Sequence, residues 1–458
     1  MHRVYDNVVE AIGDTPVVRL NSLTKGLDCE IYVKIEYMNP AGSVKDRIAL
    51  EMIEDAERSG RLKPGGTIVE ATSGNTGQGL AMVAATRGYK CVFVMPDKMS
   101  DEKVRNLRAY GARVVITPTA VSPEDPRSYY SVSKRLSQEI PGAILANQYH
   151  NPANPAAHYK STGPEIWKNM GAELDYLVLG LGTGGTVTGT GRFLKEKNPA
   201  MQIVGIDPVG SVYYEYWKTG KVPDLFKTYK IEGVGEDFMP STIDFKFIDH
   251  VVPVGDKDAF TITRRMAREE GILCGGSAGM AVAGALAFAH EKKLPKGKKL
   301  LVILPDSGSK YLSKIFNDDW MREYGFLESE LGIVQDLIGP KGPVTVITAK
   351  PTDPVAAIVR IMKDKGISQL PVVEGDKLVG MISEVTLLNY LLESESNLEK
   401  PIGPLVEKDA ASVAPDAPIA KLKEIFAKGK VACVVENGRV VGIVTKIDMI
   451  DFLARKVA

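Results

Sequence analysis

One lysine stands where an amine could react. Lys45 follows the Gly- and Ser-containing loop 39–44 and begins a stretch with helical periodicity, after a β-branched strand pattern at 29–37. The helix dipole disfavours a cation at this end, and burial of the amine would lower its pKa further. A neutral lysine amine attacks aldehydes, whereas a surface lysine is simply solvated. Lys45 is therefore a candidate nucleophile, with a solvated charge as the alternative.

Polar residues 72–77 (TSGNTG) follow the next strand pattern and open the next helix. The hydroxyls of Thr72, Ser73 and Thr76, the amide of Asn75 and free backbone N–H groups suit a bound carboxylate. The same residues could cap the helix without any ligand. Both interpretations remain open from this segment by itself.

A glycine-rich loop follows a third strand pattern. Gly180, Gly182 and Gly185 match the dinucleotide fingerprint G-x-G-x-x-G, and Asp207 ends the next strand where a ribose-binding acid would stand. The hydroxyls and N–H groups of this loop could instead hold one phosphate at a helix N-terminus. A tight turn without a ligand is the third interpretation.

Residues 275–279 (GGSAG) match the G-x-S-x-G nucleophile elbow of α/β-hydrolases, with Ser277 as the nucleophile. In those enzymes an acid and then a histidine follow the serine along the chain. Here the only histidine downstream is His290, and the acid at a strand end, Asp306, comes after it. This order argues against a hydrolase.

Strand and helix patterns alternate from Cys29 to about Asp306. Apolar β-branched runs lead into loops rich in Gly, Ser or Thr and then into amphipathic stretches, which predicts an α/β fold with mostly parallel strands. Ligands of open sheets of this kind bind at the carboxyl ends of the strands. The candidate strands lie at 29–37, 67–72, 90–96, 113–118, 143–148, 175–182, 202–208 and 298–307.

The chain changes character after Phe326, where an acidic connector containing Gly and Pro begins. Two similar segments follow, each with the pattern helix, strand, turn, strand, helix. Val372 aligns with Val434 and Gly380 with Gly442, at a constant offset of 62 residues, which indicates an internal repeat. We predict a large domain at 1–325, a linker at 326–341, and repeats at 342–397 and 398–458.

Length, charge and cysteine content narrow the class of protein. The 458 residues allow about three domains. The 57 basic and 57 acidic side chains balance, so no overall positive charge attracts nucleic acid or an anionic membrane, and a small-molecule partner is expected. Neither a secretory leader nor an apolar run of about 18 residues is present. The four cysteines are far apart and lack metal-ligand spacing, so we expect a cytoplasmic protein without a metal.

The motifs around Lys45, 72–77, the GTGGT loop and 275–279 follow one another as in the β-family of pyridoxal-phosphate enzymes (fold type II), which the chain resembles over about residues 4–325. Within that family, residues 232–238 and the segment after ILPDS resemble the cystathionine β-synthases more than the cysteine synthases. The repeat resembles a tandem CBS-domain pair. The resemblance implies two open twisted sheets with helices, a C-terminal CBS pair, pyridoxal 5′-phosphate as cofactor, and a homodimer or higher homo-oligomer.

The resemblance also implies roles for single residues. Lys45 would carry the cofactor through an imine and serve as the catalytic base, Asn75 would hydrogen-bond the phenolic oxygen, and Ser277 would face the pyridine nitrogen. The cofactor phosphate would be held by Gly182, Thr183, Gly184, Gly185 and Thr186. The carboxylate of the amino-acid substrate would be bound by Thr72, Ser73, Thr76 and Gln148, with Tyr149 nearby.

The implied activity is a β-replacement that condenses L-serine with L-homocysteine to L-cystathionine and water, with hydrogen sulfide production as a side activity. A cysteine synthase acting on O-acetylserine and sulfide is the closest alternative, because Lys45 and the loops serve both reactions. A non-catalytic nucleotide sensor built on the CBS pair is the alternative from another class.

Two departures from the family matter. Glu236 stands where these enzymes commonly have Tyr in G-x-G-Y-D-F, and it could meet the ammonium of the second substrate. Animal members carry a haem-binding extension, but here the core begins almost at Met1 and only His2 is present as a ligand, so haem is not expected.

CBS-domain pairs often bind adenosyl ligands such as S-adenosylmethionine, AMP or ATP. Thr445 and Asp448 form the T-x-x-D arrangement that holds a ribose, whereas the first repeat has Ser383 to Thr386 and lacks the Asp. The resemblance therefore implies at most one well-formed nucleotide site. N-capping of the following helix is the equally plain alternative.

Overall fold

The computed structural model describes residues 4–72, 74–97, 99, 101–118, 121–122, 125–223, 227–327, 332–339 and 346–457. The chain forms two compact units, Met1–Asn317 and Asp318–Ala458. Each unit contains its own clusters of buried apolar side chains. The limits of the linker and of the two repeats stay predictions.

The strands of the larger unit are β1 (Val17–Arg19), β2 (Glu30–Ile35), β3 (Thr67–Ala71), β4 (Lys90–Pro96), β5 (Arg113–Thr117), β6 (Ala143–Leu145), β7 (Tyr176–Gly180), β8 (Gln202–Pro208), β9 (His250–Val254) and β10 (Lys299–Leu304). Its helices are α1 (Lys45–Arg58), α2 (Asn75–Arg87), α3 (Asp101–Ala109), α4 (Tyr129–Glu139), α5 (Ala153–Lys160), α6 (Thr162–Met170), α7 (Gly185–Lys197), α8 (Tyr213–Thr219), α9 (Asp256–Glu270) and α10 (Gly276–Glu291).

Two twisted sheets build the larger unit. One has the order β1-β2-β10-β7-β8-β9, and the other has the order β5-β4-β3-β6. All pairings are parallel except that of β1 with β2. Parallel strands are covered by helices on both faces and need continuous apolar sequence, and the central strand β10 is buried from Leu300 to Leu304. The predicted α/β fold is confirmed.

Helices α1 and α2 pack closely at the carboxyl end of the four-stranded sheet. The buried face of α1 contains Ile48, Met52 and Ile53, which repeat at helical spacing and join the core around this sheet. A Cβ on Gly79 of α2 would lie 3.1 Å from the backbone oxygen of Lys45. The absence of a side chain at this position therefore lets α2 cross directly over the first turn of α1.

The helices of the smaller unit are α11 (Asp318–Glu323), α12 (Val334–Ile338), α13 (Val355–Lys365), α14 (Glu384–Glu393), α15 (Leu422–Ala427) and α16 (Lys446–Val457). Its strands are β11 (Gln369–Glu374), β12 (Lys377–Ser383), β13 (Ser412–Val413), β14 (Ala432–Glu436) and β15 (Arg439–Val444), in one sheet of order β11-β12-β15-β14-β13.

The internal repeat is confirmed down to its irregularities. The β11–β12 hairpin has a register shift between Val372 and Val373, and the β14–β15 hairpin has one between Val434 and Val435. In the second hairpin Asn437 and Gly438 both have positive φ (50° and 85°), as a two-residue type I′ turn requires. The hairpin turn predicted at this point of the second repeat is therefore present.

Candidate active site

Two of the sequence motifs meet at the carboxyl end of β10. The backbone N–H of Val44, next to Lys45, donates to the backbone oxygen of Pro305 at 2.8 Å. The backbone N–H of Gly275 donates to the backbone oxygen of Asp306 at 3.0 Å. Isolated antiparallel bridges also join Ser43 to Asp306 and Cys274 to Ser307. The lysine loop and the GGSAG loop are thus fastened to the same strand end, as expected for the ligand site of an open sheet.

Lys45 is the first residue of α1 and is partly buried. Burial lowers the pKa of its amine to about 8, while the negative charges of Glu236 and Asp306 oppose this shift. About a tenth of the amine is therefore neutral at pH 7. The helix-start position predicted for Lys45 is confirmed, and the lowered pKa favours a reactive amine over a solvated one.

Residues 72–77 lie between β3 and the first turn of α2, as the sequence predicts. The Thr72 hydroxyl oxygen accepts from the N–H groups of Gly74 at 3.0 Å and Gly77 at 3.2 Å. Thr76 Oγ1 donates to Gln148 Oε1 at 2.6 Å, and both of these side chains are buried. Ser73 lies outside the described residues. The structure thus brings three of the expected carboxylate ligands together.

Glu70, which the sequence did not single out, holds Gln148 in place. Its carboxylate accepts from the backbone N–H groups of Asn147 at 2.6 Å and Gln148 at 3.2 Å. Burial raises the pKa of Glu70 to about 8 against these hydrogen bonds. Asn147 has positive φ (53°), which turns the chain so that the Gln148 side chain reaches Thr76.

The glycine-rich loop leads into the N-terminus of α7, where unpaired backbone N–H groups favour an anion. Gly184 has φ +86°, and a Cβ on Gly185 would collide with Asn154 Oδ1. Thr183 Oγ1 accepts from Asn154 Nδ2 at 3.0 Å, and Thr186 Oγ1 lies 3.1 Å from His158 Nε2. Bare glycines, hydroxyls and free N–H groups form a donor set that fits a phosphate monoester.

Asn154 and His158 are the functional residues that the sequence reasoning missed. They are four residues apart, both buried on one face of α5, and that face packs against α7. Burial, followed by the charges of Lys45 and Arg47, holds the pKa of His158 well below its usual range, so its ring is neutral. The i, i+4 spacing was the one signal that could have indicated them.

Hydrogen bonds connect the carboxylate loop with the phosphate loop. Asn154 Nδ2 donates to the Gln148 oxygen at 2.8 Å as well as to Thr183 Oγ1. The single hydroxyl hydrogen of Thr242 is shared between the backbone oxygens of Tyr149, at 3.0 Å, and of Thr183. The Tyr213 hydroxyl donates to the Gly182 oxygen at 2.6 Å. The expected ligands of substrate and cofactor therefore belong to one network.

Asp207, the acid that a dinucleotide site would need, makes a structural hydrogen bond. Asp207 is fully buried at the end of β8, and one of its oxygens accepts from the Tyr214 N–H at 2.9 Å in the first turn of α8. Burial raises the pKa of this carboxyl to about 7. Asp207 thus supports α8, which favours the phosphate interpretation of the loop over the dinucleotide interpretation.

Ser277 lies in the first turn of α10 and is buried. Its backbone oxygen is 3.9 Å from where a Cβ of Gly180 would stand, so α10 begins beside the end of β7. His290 is in the last turn of the same helix, which at 1.5 Å per residue puts it roughly 20 Å from Ser277. It cannot serve as the general base of a serine nucleophile, and the hydrolase interpretation fails.

Glu236 lies on the side of the site lined by aromatic rings. The Tyr149 ring is 5.3 Å from Phe238 and 5.9 Å from Tyr130 between centroids. Burial and then the Glu236 charge raise the pKa of Tyr149 well above its usual range. The charge of Glu236 therefore acts on both Tyr149 and the Lys45 amine.

Thr445 and Asp448 belong to the smaller unit. The Thr445 N–H and hydroxyl both donate to Asp448 Oδ2, at 2.8 and 2.6 Å. In the first repeat Ser383 caps α14, and the Thr386 hydroxyl donates to Glu407 at 2.6 Å. The geometry of the T-x-x-D pair is that of a helix cap, with an exposed carboxylate at its surface.

Residues 8–306 match the family of pyridoxal-phosphate dependent enzymes, and residues 343–393 and 402–455 each match the CBS domain. Cystathionine β-synthase of Dictyostelium discoideum is 39% identical over 99% of this chain and 93% of its own length. The enzyme of Saccharomyces cerevisiae is 36% identical over 98% of each chain. The chain belongs to the cystathionine β-synthase family. The expected fold type II core, CBS-domain pair and pyridoxal-phosphate cofactor are thereby confirmed.

Two solved enzyme structures resemble the catalytic unit of this chain. O-ureido-L-serine synthase aligns with a TM-score of 0.63 and 39% identity over 69% of this chain and 98% of that one. The O-acetylserine dependent cystathionine β-synthase from Helicobacter pylori aligns with a TM-score of 0.62 and 39% identity over 68% of this chain and 99% of that one. The fold is therefore shared with an O-ureido-L-serine synthase and with an O-acetylserine dependent cystathionine β-synthase.

The described residues contain neither a candidate membrane span nor a candidate metal cluster. None of the described helices has the length and apolar character needed to cross a bilayer. No cluster of three or more His, Cys, Asp or Glu side chains in the described part of the chain is arranged to hold a metal ion. The four cysteines are free and buried.

Proposed function

We propose that this protein catalyses a pyridoxal-phosphate-dependent β-replacement that condenses L-serine with L-homocysteine to give L-cystathionine and water. The observation that carries this proposal is the Lys45 amine, whose pKa is lowered to about 8 beside Glu236 and Asp306. A neutral amine next to two carboxylates can both hold an aldehyde cofactor and exchange protons with a substrate.

The residues around Lys45 divide the work of the reaction. When bound, the cofactor supplies an electron sink for the electron pair left at the substrate Cα. Lys45, displaced by the incoming amino acid, takes the Cα proton and then delivers a proton to the departing hydroxyl group. We assign this second role to Lys45 because the motif loops contain no other obvious acid. Elimination from serine that persists in Lys45→Ala would rule it out.

Binding of the first substrate rests on Thr72, Thr76 and Gln148, with Ser73 as the fourth expected ligand. The Thr76 hydroxyl donates to Gln148 Oε1, so the Gln148 Nε2 group faces away from Thr76 and towards the Ala71 oxygen at 3.3 Å. A substrate carboxylate placed at the N-terminus of α2 receives donors from this set. The roles of these residues are part of the proposal.

Glu236 supports an amino acid as the second substrate. Its carboxylate lies near Lys45 and the ring of Tyr149, and a carboxylate in a partly buried site pairs well with an ammonium. Glu236→Gln is expected to raise the KM for homocysteine more than that for serine. An unchanged homocysteine KM would remove Glu236 from the substrate site.

Ser277 supports elimination chemistry. A neutral hydroxyl facing the pyridine nitrogen leaves that nitrogen largely unprotonated and stabilises a carbanion only moderately. This suits a reaction in which negative charge departs with the β-substituent.

Cysteine synthesis from O-acetylserine and sulfide is the second candidate function, because a solved relative is described as an O-acetylserine dependent cystathionine β-synthase. Steady-state rates with serine plus homocysteine, against O-acetylserine plus sulfide, separate the two. Sulfide release from thiol substrates is measured in the same assay. Borohydride trapping of the cofactor on Lys45, absent in Lys45→Ala, tests the catalytic proposal against a non-catalytic sensor.

We also propose that the CBS pair binds an adenosyl ligand (S-adenosylmethionine, AMP or ATP) through Thr445 and Asp448. The exposed Asp448 carboxylate supports ribose binding at the start of α16. Isothermal titration with each ligand tests this, and no heat from any of them would leave a purely structural module.

Assembly into a homodimer and a cytoplasmic location complete the proposal. Val385 and Leu388 on α14 and Ile447 and Ile450 on α16 are exposed apolar residues at equivalent positions of the two repeats. Such stripes support association with a second copy, which sedimentation of the wild type and of Leu388→Asp would test. Four buried, free cysteines support a reducing compartment.

A further inference from the structure

Lys310, to which no role has been given so far, contacts the expected cofactor ligand Asn75. Its Nζ donates to Asn75 Oδ1 at 2.8 Å, and Asn75 Nδ2 donates to Asp306 Oδ2 at 2.8 Å. The Tyr311 hydroxyl donates to the same Asp306 oxygen at 2.7 Å. Asn75 is thus held from both ends of its amide.

The direction of these bonds determines how the Asn75 amide is oriented. An ammonium only donates, and a carboxylate that receives two donors acts as an acceptor. A reversed amide would place its NH₂ group against Lys310 and its oxygen against Asp306, and it would lose both hydrogen bonds. Only one orientation of the Asn75 amide satisfies Lys310, Asp306 and Asn75 together. In that orientation the second hydrogen of Asn75 Nδ2 is not used by Lys310 or Asp306.

The surrounding residues leave room for Lys310 at this position. It belongs to the short 3-10 helix Gly308–Tyr311 that follows Asp306. A Cβ on Gly42, in the loop before Lys45, would lie 3.8 Å from Lys310 Cε, so the lysine passes over a residue without a side chain. Burial lowers the pKa of Lys310, the charges of Asp306 and Asp46 oppose this shift by stabilising the ammonium, and the charge of Lys103 adds to it.

We propose that Lys310 is a positioning residue that, together with Asp306, fixes the Asn75 amide so that Nδ2 donates to the phenolic oxygen of bound pyridoxal phosphate. This rests on the proposed role of Asn75. Lys310 acts through Asn75 and not by touching the cofactor, so its effect on cofactor binding depends on the presence of the Asn75 amide.

A double-mutant cycle on the full chain tests this dependence. Apoprotein of the wild type, Lys310→Met, Asn75→Ala and the double variant is titrated with pyridoxal phosphate, and Kd is measured by fluorescence. We expect Lys310→Met to weaken binding about 5- to 20-fold when Asn75 is present and less than about 2-fold in the Asn75→Ala background. Lys310→Arg, which keeps a donor, restores most of the loss.

The absorption spectrum of the holoprotein gives a second readout. Lys310→Met and Asn75→Ala should change the ratio of its cofactor bands in the same direction, because the first misplaces the donor at the phenolic oxygen and the second removes it. The exposed Lys296→Met serves as the matched control and keeps the wild-type spectrum and Kd.

Equal weakening by Lys310→Met in both backgrounds, or no effect of Asn75→Ala on Kd, would overturn the inference. Wild-type protein that binds no pyridoxal phosphate would instead overturn the proposed function. Circular dichroism checks that each variant is folded. If Lys310→Met does not fold, Lys310→Gln takes its place in the same cycle, and additive effects there overturn the inference as well.

Discussion

At the scale of single residues, the chemistry of Lys45 depends on two opposing influences. Burial favours its neutral form, and the charges of Glu236 and Asp306 favour the ammonium. Since only the neutral amine attacks an aldehyde, the rate at which apoprotein captures pyridoxal phosphate should rise about tenfold per pH unit below pH 8 and level off above it. Stopped-flow absorbance between pH 6 and pH 10 measures this, and a continued rise to the upper limit would indicate an unperturbed lysine.

Removal of the Glu236 charge should shift the pKa of Lys45 in a defined direction. In Glu236→Gln the ammonium of Lys45 loses a stabilising neighbour, so the midpoint of the capture rate should move to lower pH, by about half a unit or more. Glu291→Gln, whose side chain is 71% exposed and pairs with Lys292, is the matched control and should leave the midpoint in place. A shift towards higher pH would contradict this geometry.

The residues that could be predicted from the sequence are those in loops at strand ends. Lys45, Asn75 and Thr183 are in short glycine-containing segments whose type and order are informative. Asn154 and His158 are within helix α5, and their role arises from the packing of α5 against α7. No local pattern records which helices meet, so this part of the site required the fold.

At the scale of elements, the phosphate loop depends on the contact between α5 and α7. In Gly185→Ala the new Cβ would collide with Asn154 Oδ1 and push Asn154 away from Thr183 and from the Gln148 oxygen. We expect at least a tenfold loss of pyridoxal-phosphate affinity and a destabilisation of about 1–3 kcal/mol. Equilibrium titration and urea unfolding measure the two effects.

Gly255→Ala provides the comparison for that variant. Gly255 immediately precedes α9, has no positive φ, and a Cβ there would meet nothing within 4 Å. Its replacement should cost less than about 1 kcal/mol and leave cofactor affinity unchanged. Similar losses of affinity in both variants would mean that the packing of α5 on α7 does not shape the loop.

Most elements of the catalytic unit followed from apolar runs and helical periodicity, but two strands did not. Strand β1 has three residues, too few for an alternation to be recognised. Strand β9 contains Pro253 and forms an edge of its sheet, where a residue without an N–H group is tolerated. Their place in the sheet is decided by tertiary pairing, not by local preference.

At the scale of the whole molecule, the two compact units have separate cores and should respond separately to ligands. Calorimetry of the holoprotein should resolve two unfolding transitions, of which pyridoxal phosphate raises only that of the catalytic unit. At about 100 times Kd the stabilisation amounts to about 2.7 kcal/mol. A ligand of the CBS pair should raise the other transition. A single transition that moves with either ligand would show that the units unfold together.

The paired register shifts of the CBS repeats carry a consequence for variation of chain length. At this point the second strand of each hairpin has one residue more than the first, Val379 in β12 and Val441 in β15, and this extra residue forms a β-bulge. Loss of either valine would remove the bulge and, with it, the local bend and the added twist of the hairpin. Each hairpin therefore accepts exchanges of side chains at this point far more readily than the deletion of one amino acid.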